Sequence, residues 1–362
     1  MYEPSLPSLN DIKEILADNV SWNYFAGKTV LITGASGFIP SYVVYALIGL
    51  NKIVCSSNPV SIIALVRNKN KAEKKFAPII GRADFRLIIA DVSDPLNIAE
   101  KIDIIIHGAS QASPKYYGSD PVGTLKANTI GTANLLDLAL KKRTENFLFI
   151  SSADVYGVLD EKLEEIPESY TGSVDITNIR SCYAESKRMG ENMCVCWSYQ
   201  YNLHVNMVRV SGTYGCGYDL DDGRAPADFV SKILNNQNII LNSDGKAKKN
   251  FVYITDSTKA LFRILICGGN RQAYNLSGDS ETEILELATM LCELYPEKHL
   301  KVEFSIGSSP KGYIRSPFLR ANFSNKKLKG LGWGLKVPLA EGFKRMIEAY
   351  QTNNCLDWEN FL

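Results

Sequence analysis

Two short segments of the sequence carry side chains that could move a proton. Tyr183 and Lys187 lie four residues apart in the segment YAESK, and Ser152 lies in the segment SSADVYG. On a helix, this spacing places the phenol and the ammonium on one face. A nearby ammonium favours the phenolate, so it lowers the pKa of the tyrosine and makes it a usable base near neutral pH. We therefore predict that Tyr183 takes a substrate proton while Ser152 hydrogen-bonds the same hydroxyl.

A glycine-rich turn supplies a second chemical feature. The segment TGASGFIP follows the first apolar strand and opens a helix, which is the setting of a dinucleotide fingerprint. Its first glycine permits a tight turn, its second lets the backbone approach a pyrophosphate, and the helix N-terminus offers free N–H groups to the phosphates. The predicted cofactor contacts in this turn are Gly34, Ser36, Gly37, Phe38 and Ile39, and Lys187 is predicted to hold the nicotinamide ribose.

One position of this turn departs from the fingerprint. Pro40 stands where the pattern normally has a third small residue, at the contact between helix and strand. Proline is tolerated in a first helical turn, where its missing N–H would be unpaired in any case. We nonetheless expect the packing of helix on strand to be loosened and the affinity for the cofactor to be lowered.

The residue after the second strand bears on the choice between NAD and NADP. In a site for NAD, an acidic residue at this position accepts hydrogen bonds from the ribose 2′-hydroxyl. This chain has Arg67 there, which suits the 2′-phosphate of NADP. The sequence therefore favours NADP over NAD, although the basic stretch from Arg67 could instead be a solvated turn. Asp91 and Val92, at the end of the third strand, are predicted to line the cofactor site; Asp91 could accept a hydrogen bond from the adenine amino group or could only cap a helix.

The elements that must position these residues alternate along the chain. Apolar strands are predicted at 28–33, 61–66, 86–90, 102–107, 147–150 and 204–210, and helices at 9–18, 38–50, 121–142 and 181–201. Strands this apolar require a parallel sheet covered on both faces, and the ligand then binds at the carboxyl ends of the strands. In the helix at 121–142, the apolar residues predicted on the buried side are Leu125, Ile130, Leu135, Leu136 and Leu138.

These elements predict an α/β fold with a Rossmann-type doubly wound parallel sheet and a smaller C-terminal α/β substrate lobe. Residues 1–26 form an N-terminal extension, and 27–210 form the dinucleotide-binding domain, to which 251–276 returns. Residues 211–250 and 277–350 form the substrate lobe, and 351–362 are a tail.

Composition excludes several classes of function. The chain of 362 residues has 40 basic and 39 acidic side chains, and this balance gives no field suited to nucleic acid or to an anionic membrane. The N-terminus does not have the pattern of a secretory signal. The eight cysteines are scattered and there are only three histidines, so their spacing does not match a metal site. We therefore predict no metal, reduced thiols and a cytoplasmic location.

Taken together, the motifs resemble those of the extended short-chain dehydrogenases of the epimerase/dehydratase family over about residues 27–350. The segments TGASGFI, SSADVYG, YAESK and NFVYITD fall in the family's order and spacing. The chain is most similar to the UDP-glucuronate decarboxylase branch, on the segments ASQASP, TLKANTIGT, RSCYAESKR and DGR. The resemblance implies that Ser152, Tyr183 and Lys187 form the catalytic triad.

The same resemblance implies further site residues. Ala109 and Asn128 line the cofactor site, and the substrate-binding residues are Ser110, Arg224, Lys249 and Arg315. Arg315 matches an arginine that binds the substrate diphosphate, although it could be a plain surface arginine. Lys249 stands where the decarboxylases have arginine, which loses bidentate geometry. Gly212 stands where the family often has asparagine.

The family's shared step is removal of a hydride from sugar C4, which gives a 4-ketone that acidifies C3 and C5 and labilises a C5 carboxylate. Ala153 cannot protonate a leaving hydroxyl and so counts against 4,6-dehydration. Asp154, where a decarboxylase carries glutamate, could act as a base at C3 or C5 or could only cap a turn. By resemblance, decarboxylation of a nucleotide-linked hexuronic acid leads, and epimerisation, 4,6-dehydration and NADPH-dependent reduction of a ketosugar follow. An inactive NADP-sensing protein is the alternative outside enzymes, and relatives suggest a homodimer built on the helices at 121–142 and 181–201.

Overall fold

A computed structural model describes residues 6–160, 162–305 and 320–352, together with Trp358 and Phe361. Its strands, in chain order, are β1 Thr29–Thr33, β2 Ser61–Val66, β3 Phe85–Ile89, β4 Ile104–His107, β5 Asn146–Ser152, β6 Val205–Val210, β7 Thr213–Tyr214, β8 Ile239–Leu241, β9 Lys248–Asn250, β10 Val252–Tyr253, β11 Gln272–Leu276, β12 Glu281–Glu283, β13 Val302–Phe304 and β14 Arg320–Ala321.

The helices are α1 Leu9–Leu16, α2 Phe38–Ile53, α3 Lys69–Phe76, α4 Pro114–Ser119, α5 Pro121–Asn128, α6 Ile130–Lys142, α7 Ser181–Tyr201, α8 Ala225–Leu234, α9 Ile254–Cys267, α10 Ile284–Glu293, α11 Lys326–Lys329 and α12 Leu339–Gln351. Single 3-10 turns lie at Trp22–Phe25, Ala153–Tyr156 and Pro296–Lys298.

Seven of the strands form one parallel sheet in the order β3-β2-β1-β4-β5-β6-β11. The chain reverses direction of growth between β1 and β4, so their carboxyl ends open a crevice where ligands of this architecture bind. Helices α2 and α9 cover one face of the sheet, and α6 and α7 cover the other. The predicted α/β fold with a doubly wound parallel sheet is confirmed.

The remaining strands form small sheets beyond the main one. Strand β9 lies between β12 and β14, β8 pairs with β13, and β7 pairs with β10. The segment after β10 returns to the main sheet, because β11 pairs with β6 along its whole length. The division into two domains and a tail stays a prediction.

The single helix predicted at 121–142 is wrong, because α5 and α6 are separated at Thr129, whose φ of −110° and ψ of −69° interrupt the helix. Leu135, Leu136 and Leu138 are buried as predicted, but Leu125 and Ile130 are 38% and 45% exposed. Ile130 lies five residues before Leu135 and therefore on the opposite side of a helix with 3.6 residues per turn. Leu125 precedes the break, so the pattern of α6 does not fix its direction.

The N-terminal segment is part of the core. Helix α1 packs Ile12 and Ile15 against α2 and α9, where both side chains are fully buried. Asp11 on the same helix accepts hydrogen bonds from Tyr42 Oη at 2.8 Å and from Tyr253 Oη at 3.1 Å. Burial raises the pKa of the Asp11 carboxyl to about 6, although both tyrosines favour its charged form. None of the helices in the described ranges is long and apolar enough to cross a bilayer.

We predict that Asp11→Asn makes the protein's stability less dependent on pH. The Asp11 carboxyl has a folded-state pKa of about 6, above its ordinary 3.8, so the stability that it contributes when protonated is lost as the pH rises through about 6. The free energy of unfolding of the variant, relative to the wild type, should therefore rise between pH 5 and pH 8, by about 1.4 kcal/mol.

Urea unfolding at the two pH values measures this difference. Asp244→Asn, at an exposed turn, controls for the loss of one negative charge. Parallel curves for the wild type and Asp11→Asn across this range would contradict the prediction.

Candidate active site

The three side chains of the predicted triad meet where α7 crosses the carboxyl end of β5. Tyr183 and Lys187 are 6% and 2% exposed, and Ser152, the last residue of β5, is also buried. Lys187 Nζ lies 5.9 Å from the centre of the Tyr183 ring and donates a hydrogen bond to the Ile150 carbonyl at 2.7 Å. Ser152 Oγ accepts from the Asp154 backbone N–H at 3.2 Å. The structure thus brings the phenol, the ammonium and the hydroxyl to one strand end.

The charges at this strand end differ from the expectation of a lowered tyrosine pKa. Burial raises the pKa of Tyr183 to about 12, the charge of Asp154 adds to this effect, and a hydrogen bond with Ser152 opposes it. Burial lowers the pKa of Lys187 to about 7. The expectation is therefore wrong for this structure, because the loss of hydration outweighs the influence of an ammonium that points to the Ile150 carbonyl.

A second tyrosine packs on the first. The Tyr117 ring, on α4, stacks on the Tyr183 ring with centroids 4.9 Å apart and an interplanar angle of 19°. Tyr117 is buried, and its Oη donates to the Ala112 carbonyl at 3.0 Å. Burial raises the pKa of Tyr117 well above its ordinary value. The stack fixes the plane of the Tyr183 phenol.

Acidic and basic side chains surround this pair of rings. Burial lowers the pKa of Lys249, on β9, to about 8, while Asp154 favours its charged form and Arg180 opposes it. Asp154 therefore acts electrostatically on both Tyr183 and Lys249. Its backbone N–H and carbonyl make the local turn, with Ser152 and Gly157. The side chain is thus placed to act on the cleft, whereas the turn uses its backbone.

Arg224 lies on the opposite side of the cleft, at the N-terminus of α8. Its guanidinium forms an ion pair with Asp222 at 3.2 Å and donates to the Ala112 carbonyl and to Tyr218 Oη. The same loop accepts a hydrogen bond from Ser113 Oγ at the Asp222 carbonyl, at 2.8 Å. These contacts join the loop before α8 to the segment after β4, so the two walls of the cleft are tied together.

The glycine-rich turn has the geometry that a dinucleotide requires. Gly34 has a φ of +63°, and a Cβ there would lie 2.7 Å from Ala109 Cα, so only glycine fits. Gly37 is the N-cap of α2, whose first turn begins with Phe38 and Ile39, while Ser36 is half-buried just before it.

The packing of α2 is not loosened by Pro40, contrary to the expectation from sequence. Pro40 is buried, and a Cβ at Gly108 would lie 2.7 Å from Pro40 Cγ. The proline ring therefore occupies the space that the missing side chain of Gly108 leaves at the end of β4. The fingerprint normally has the small residue of this contact on the helix, whereas here it is Gly108, just after β4.

Two buried polar atoms near this turn fit a bound cofactor. Ser110 Oγ and Asn128 Oδ1 are buried and have no hydrogen-bond partner within the part of the chain that the structure describes. Asn128 Nδ2 donates to Ser186 Oγ at 3.0 Å, which places the amide beside α7. Buried polar groups normally have partners, so these atoms suit a polar ligand. Val92 instead packs against Gly131 on α6, at a distance that leaves no room for a Cβ there.

The residues predicted to contact the adenosine half of the cofactor, Arg67 and Asp91, lie after the ends of β2 and β3. Arg67 is exposed, and its Nη1 lies 3.6 Å from Asp91 Oδ2. Burial raises the pKa of Asp91, but hydrogen bonds from Ser93 and the charge of Arg67 outweigh it and lower the pKa. The stretch after Arg67 is not a turn, because Asn68 caps α3 by accepting from the Lys71 N–H. Arg315 lies outside the described residues.

Comparison with known proteins agrees with this site. The model of the NAD dependent epimerase/dehydratase family matches residues 30–277. The chain belongs to this family. Over 325 aligned residues it is 33% identical to UDP-glucuronic acid decarboxylase 3 of Arabidopsis thaliana, and the alignment covers 89% of each protein. The family membership and the similarity to the decarboxylases that the motifs predicted are confirmed.

Two solved structures of epimerases share the fold of this epimerase/dehydratase family member. UDP-glucose 4-epimerase of Thermotoga maritima aligns with a TM-score of 0.77 and 21% identity, over 89% of this chain and 98% of that one. UDP-glucuronic acid 4-epimerase of Bacillus cereus, in complex with UDP-glucuronic acid and NAD, aligns with a TM-score of 0.74 and 21% identity, over 89% and 99%.

Sequence reasoning missed two residues of this family member's cleft. Tyr117 lies in a short helix with no apolar period, so nothing local marks its stacking on Tyr183. Arg180, three residues before Tyr183, lies in the segment RSCYAESKR, but that segment predicts no role for it. Its Nε is buried and has no hydrogen-bond partner among the described residues. A basic residue so close to the tyrosine of the predicted triad was the available signal.

Proposed function

We propose that this chain decarboxylates a nucleotide-linked hexuronic acid, with UDP-glucuronate as the substrate, through a transient 4-keto sugar. The observation that carries the proposal is the buried arrangement of Ser152, Tyr183 and Lys187, with Asp154 and Lys249 beside it. Similarity to UDP-glucuronic acid decarboxylases over 89% of the chain supports the choice of substrate.

The proposed chemistry begins at C4 of the sugar. A bound oxidised nicotinamide would accept a hydride from C4, return it after decarboxylation, and add positive charge to the cleft. Tyr183 takes the C4 hydroxyl proton, Ser152 hydrogen-bonds the same oxygen, and Lys187 stabilises the phenolate. The C5–C6 bond then breaks and CO₂ leaves. The electron pair of that bond moves onto the oxygen of the 4-ketone, which gives an enolate. C5 takes a proton from water, and Tyr183 returns its proton to the C4 oxygen when C4 is reduced.

Several residues favour decarboxylation over the other reactions of the family. Ala153 has no proton to give to a leaving 6-hydroxyl, which disfavours 4,6-dehydration. Lys249 and Arg180 add positive charge near Asp154, which suits a substrate that carries a carboxylate. Epimerisation remains the second candidate, because Ser151, Ser152 and Ala153 have the sequence typical of 4-epimerases.

We propose that Gly34, Ser36, Gly37, Phe38, Ile39, Ala109 and Asn128 hold the dinucleotide, with NADP preferred over NAD. Arg67 supports this preference, because its exposed guanidinium at the end of β2 can bind a 2′-phosphate through paired hydrogen bonds. Asp91 holds that guanidinium at the edge of the cleft. Ser110 and Arg224 are proposed to contact the substrate.

We also propose a homodimer formed by α5, α6 and α7. These helices pack side by side and leave apolar side chains in solvent. The exposed apolar side chains on them include Val122, Leu125, Ile130, Met189, Val195 and Tyr199. Two copies related by a two-fold axis would bury these residues in a helical bundle, in which α5 and α6 together take the place of the single helix predicted at 121–142. We propose in addition that residues 211–250 and 277–350 form a substrate lobe. Residues 251–276 return to the dinucleotide domain.

We expect the protein to convert UDP-glucuronate, with NAD or NADP, into a nucleotide sugar that is lighter by one CO₂, as read by mass spectrometry. Tyr183→Phe should lower the rate by about a hundredfold or more, since it removes the base. Tyr201→Phe, at an exposed position of the same helix, is the matched control.

The other outcomes separate the rival reactions. A product of unchanged mass indicates epimerisation, loss of water indicates dehydration, and stoichiometric consumption of NADPH indicates a reductase. Return of intact UDP-glucuronate would contradict the proposed function. Cofactor binding with no difference in turnover between the wild type and Tyr183→Phe would support a sensor.

Arg67→Asp should weaken NADP relative to NAD by about tenfold or more, because a charge-assisted hydrogen bond to the 2′-phosphate is lost. Titration of each dinucleotide against the intrinsic fluorescence measures both affinities. Lys71→Asp, on exposed α3, controls for the change in surface charge. An unchanged ratio of the two affinities would refute the preference for NADP.

Ile130→Glu should convert the proposed dimer into a monomer, because it places a charge in the buried face of the bundle. Sedimentation velocity gives the mass in solution. Ile53→Glu makes the same change at an exposed position of α2 and should leave the dimer intact. A wild type that sediments as a monomer would contradict the dimer.

A further inference from the structure

A buried acid lies behind the predicted triad and takes no part in the proposed chemistry. Tyr183, Lys187 and Glu191 follow one another at intervals of four residues along α7 and therefore share one face of the helix. Glu191 is 8% exposed. Its carboxylate accepts from Ser151 Oγ at 2.6 Å and forms a two-pronged ion pair with Arg209 on β6, at 2.7 Å from Nη2 and 3.0 Å from Nε.

We propose that Glu191 is a positioning residue for the reaction, which keeps the Lys187 ammonium charged and held against the end of β5 behind Tyr183. The inference rests on the proposed function for its meaning in catalysis. Its physical basis, the charge state of Lys187, is independent of the substrate.

The geometry joins α7 to three successive residues of β5. Lys187 Nζ donates to the Ile150 carbonyl at 2.7 Å, and Glu191 accepts from the hydroxyl of Ser151, the next residue. Ser152, the residue after that, interacts with the Tyr183 phenol. Each of these three turns of α7 thus contacts one residue at the end of β5. Along the helix, Glu191 is the contact farthest from Tyr183.

The charge balance around Lys187 points to the same role. Burial lowers the pKa of Lys187 to about 7, and Glu191 is the strongest influence in the opposite direction. From β4, His107 faces the site as a neutral ring, because burial lowers its pKa to about 3. From α7 itself, burial raises the pKa of the Cys194 thiol, which is therefore uncharged. Arg209, from β6, brings positive charge that is bound by Glu191.

Glu191 therefore supplies the negative charge that compensates a buried ammonium. A cation without such a partner in a protein interior loses its proton at a lower pH. A neutral Lys187 could no longer stabilise the Tyr183 phenolate. A purely structural acid would affect folding and rate but would leave the titration of Lys187 unchanged.

Glu191→Gln tests this directly, because it keeps the shape and the hydrogen-bonding capacity of the side chain. The titration of Lys187 is followed by NMR of the full-length protein labelled with ¹³C-lysine, with Lys187→Met for assignment. We expect the pKa of Lys187 to fall by about one unit or more in Glu191→Gln. Glu185→Gln, a half-exposed acid on the same helix that pairs with Arg188, is the matched control and should leave it unchanged.

The second readout is the pH dependence of kcat/KM for UDP-glucuronate. The alkaline limb of the profile should move to lower pH in Glu191→Gln by the same amount as the pKa of Lys187. Glu191→Asp keeps the charge and should return the limb toward its wild-type position. If Glu191→Gln does not fold, Arg209→Met, which leaves the acid charged without its partner, should move the pKa of Lys187 upward.

The possible results separate the two proposals. A Lys187 pKa that is the same in the wild type and Glu191→Gln overturns the role of Glu191, whatever the enzyme turns over. A lowered pKa of Lys187 in a protein that leaves UDP-glucuronate intact supports the electrostatic role of Glu191 and rejects the proposed function. A lowered rate with an unshifted pH profile also overturns the positioning role.

Discussion

Burial of the Lys187 ammonium is the constraint around which this cleft is organised. A charge that loses its hydration must be paired and hydrogen-bonded, or it gives up its proton. Here the Ile150 carbonyl accepts its hydrogen bond, and the carboxylate of Glu191 balances its charge from one helical turn away. Lys187 and Glu191 attach α7 to the end of β5, where Tyr183 lies beside Ser152.

The neighbouring elements are built to tolerate this arrangement. Arg209 on β6 forms an ion pair with Glu191 and donates to Tyr156 Oη, so the buried charges form a connected network across two strands. His107 on β4 bridges the hydroxyls of Thr33 and Thr132 as a neutral ring, and so ties β1 and α6 to the same strand ends without adding charge. Networks of this kind are stable only when every member is satisfied.

The opposite wall of the cleft is held by contacts that are more exposed. Lys115 donates to the Asp221 carbonyl at 2.9 Å, and Arg224 reaches the Ala112 carbonyl, so the loop before α8 is fastened to the segment that carries Tyr117. Surface ion pairs contribute little to stability, typically below about 1 kcal/mol. The loop wall is therefore held by weaker contacts than the wall that carries Lys187.

The sequence by itself determined the fold class and predicted the dinucleotide turn and the triad, because each depends on local spacing. A glycine with positive φ after a strand, and a tyrosine four residues before a lysine, have few alternative readings once the strands and helices alternate. The break at Thr129, the exposure of Ile130 and the fit of Pro40 against Gly108 depended on which elements meet. The same holds for the stacking of Tyr117 on Tyr183 and for the raised pKa of that tyrosine. Packing and desolvation act between residues far apart in the chain, so only the tertiary structure decided them.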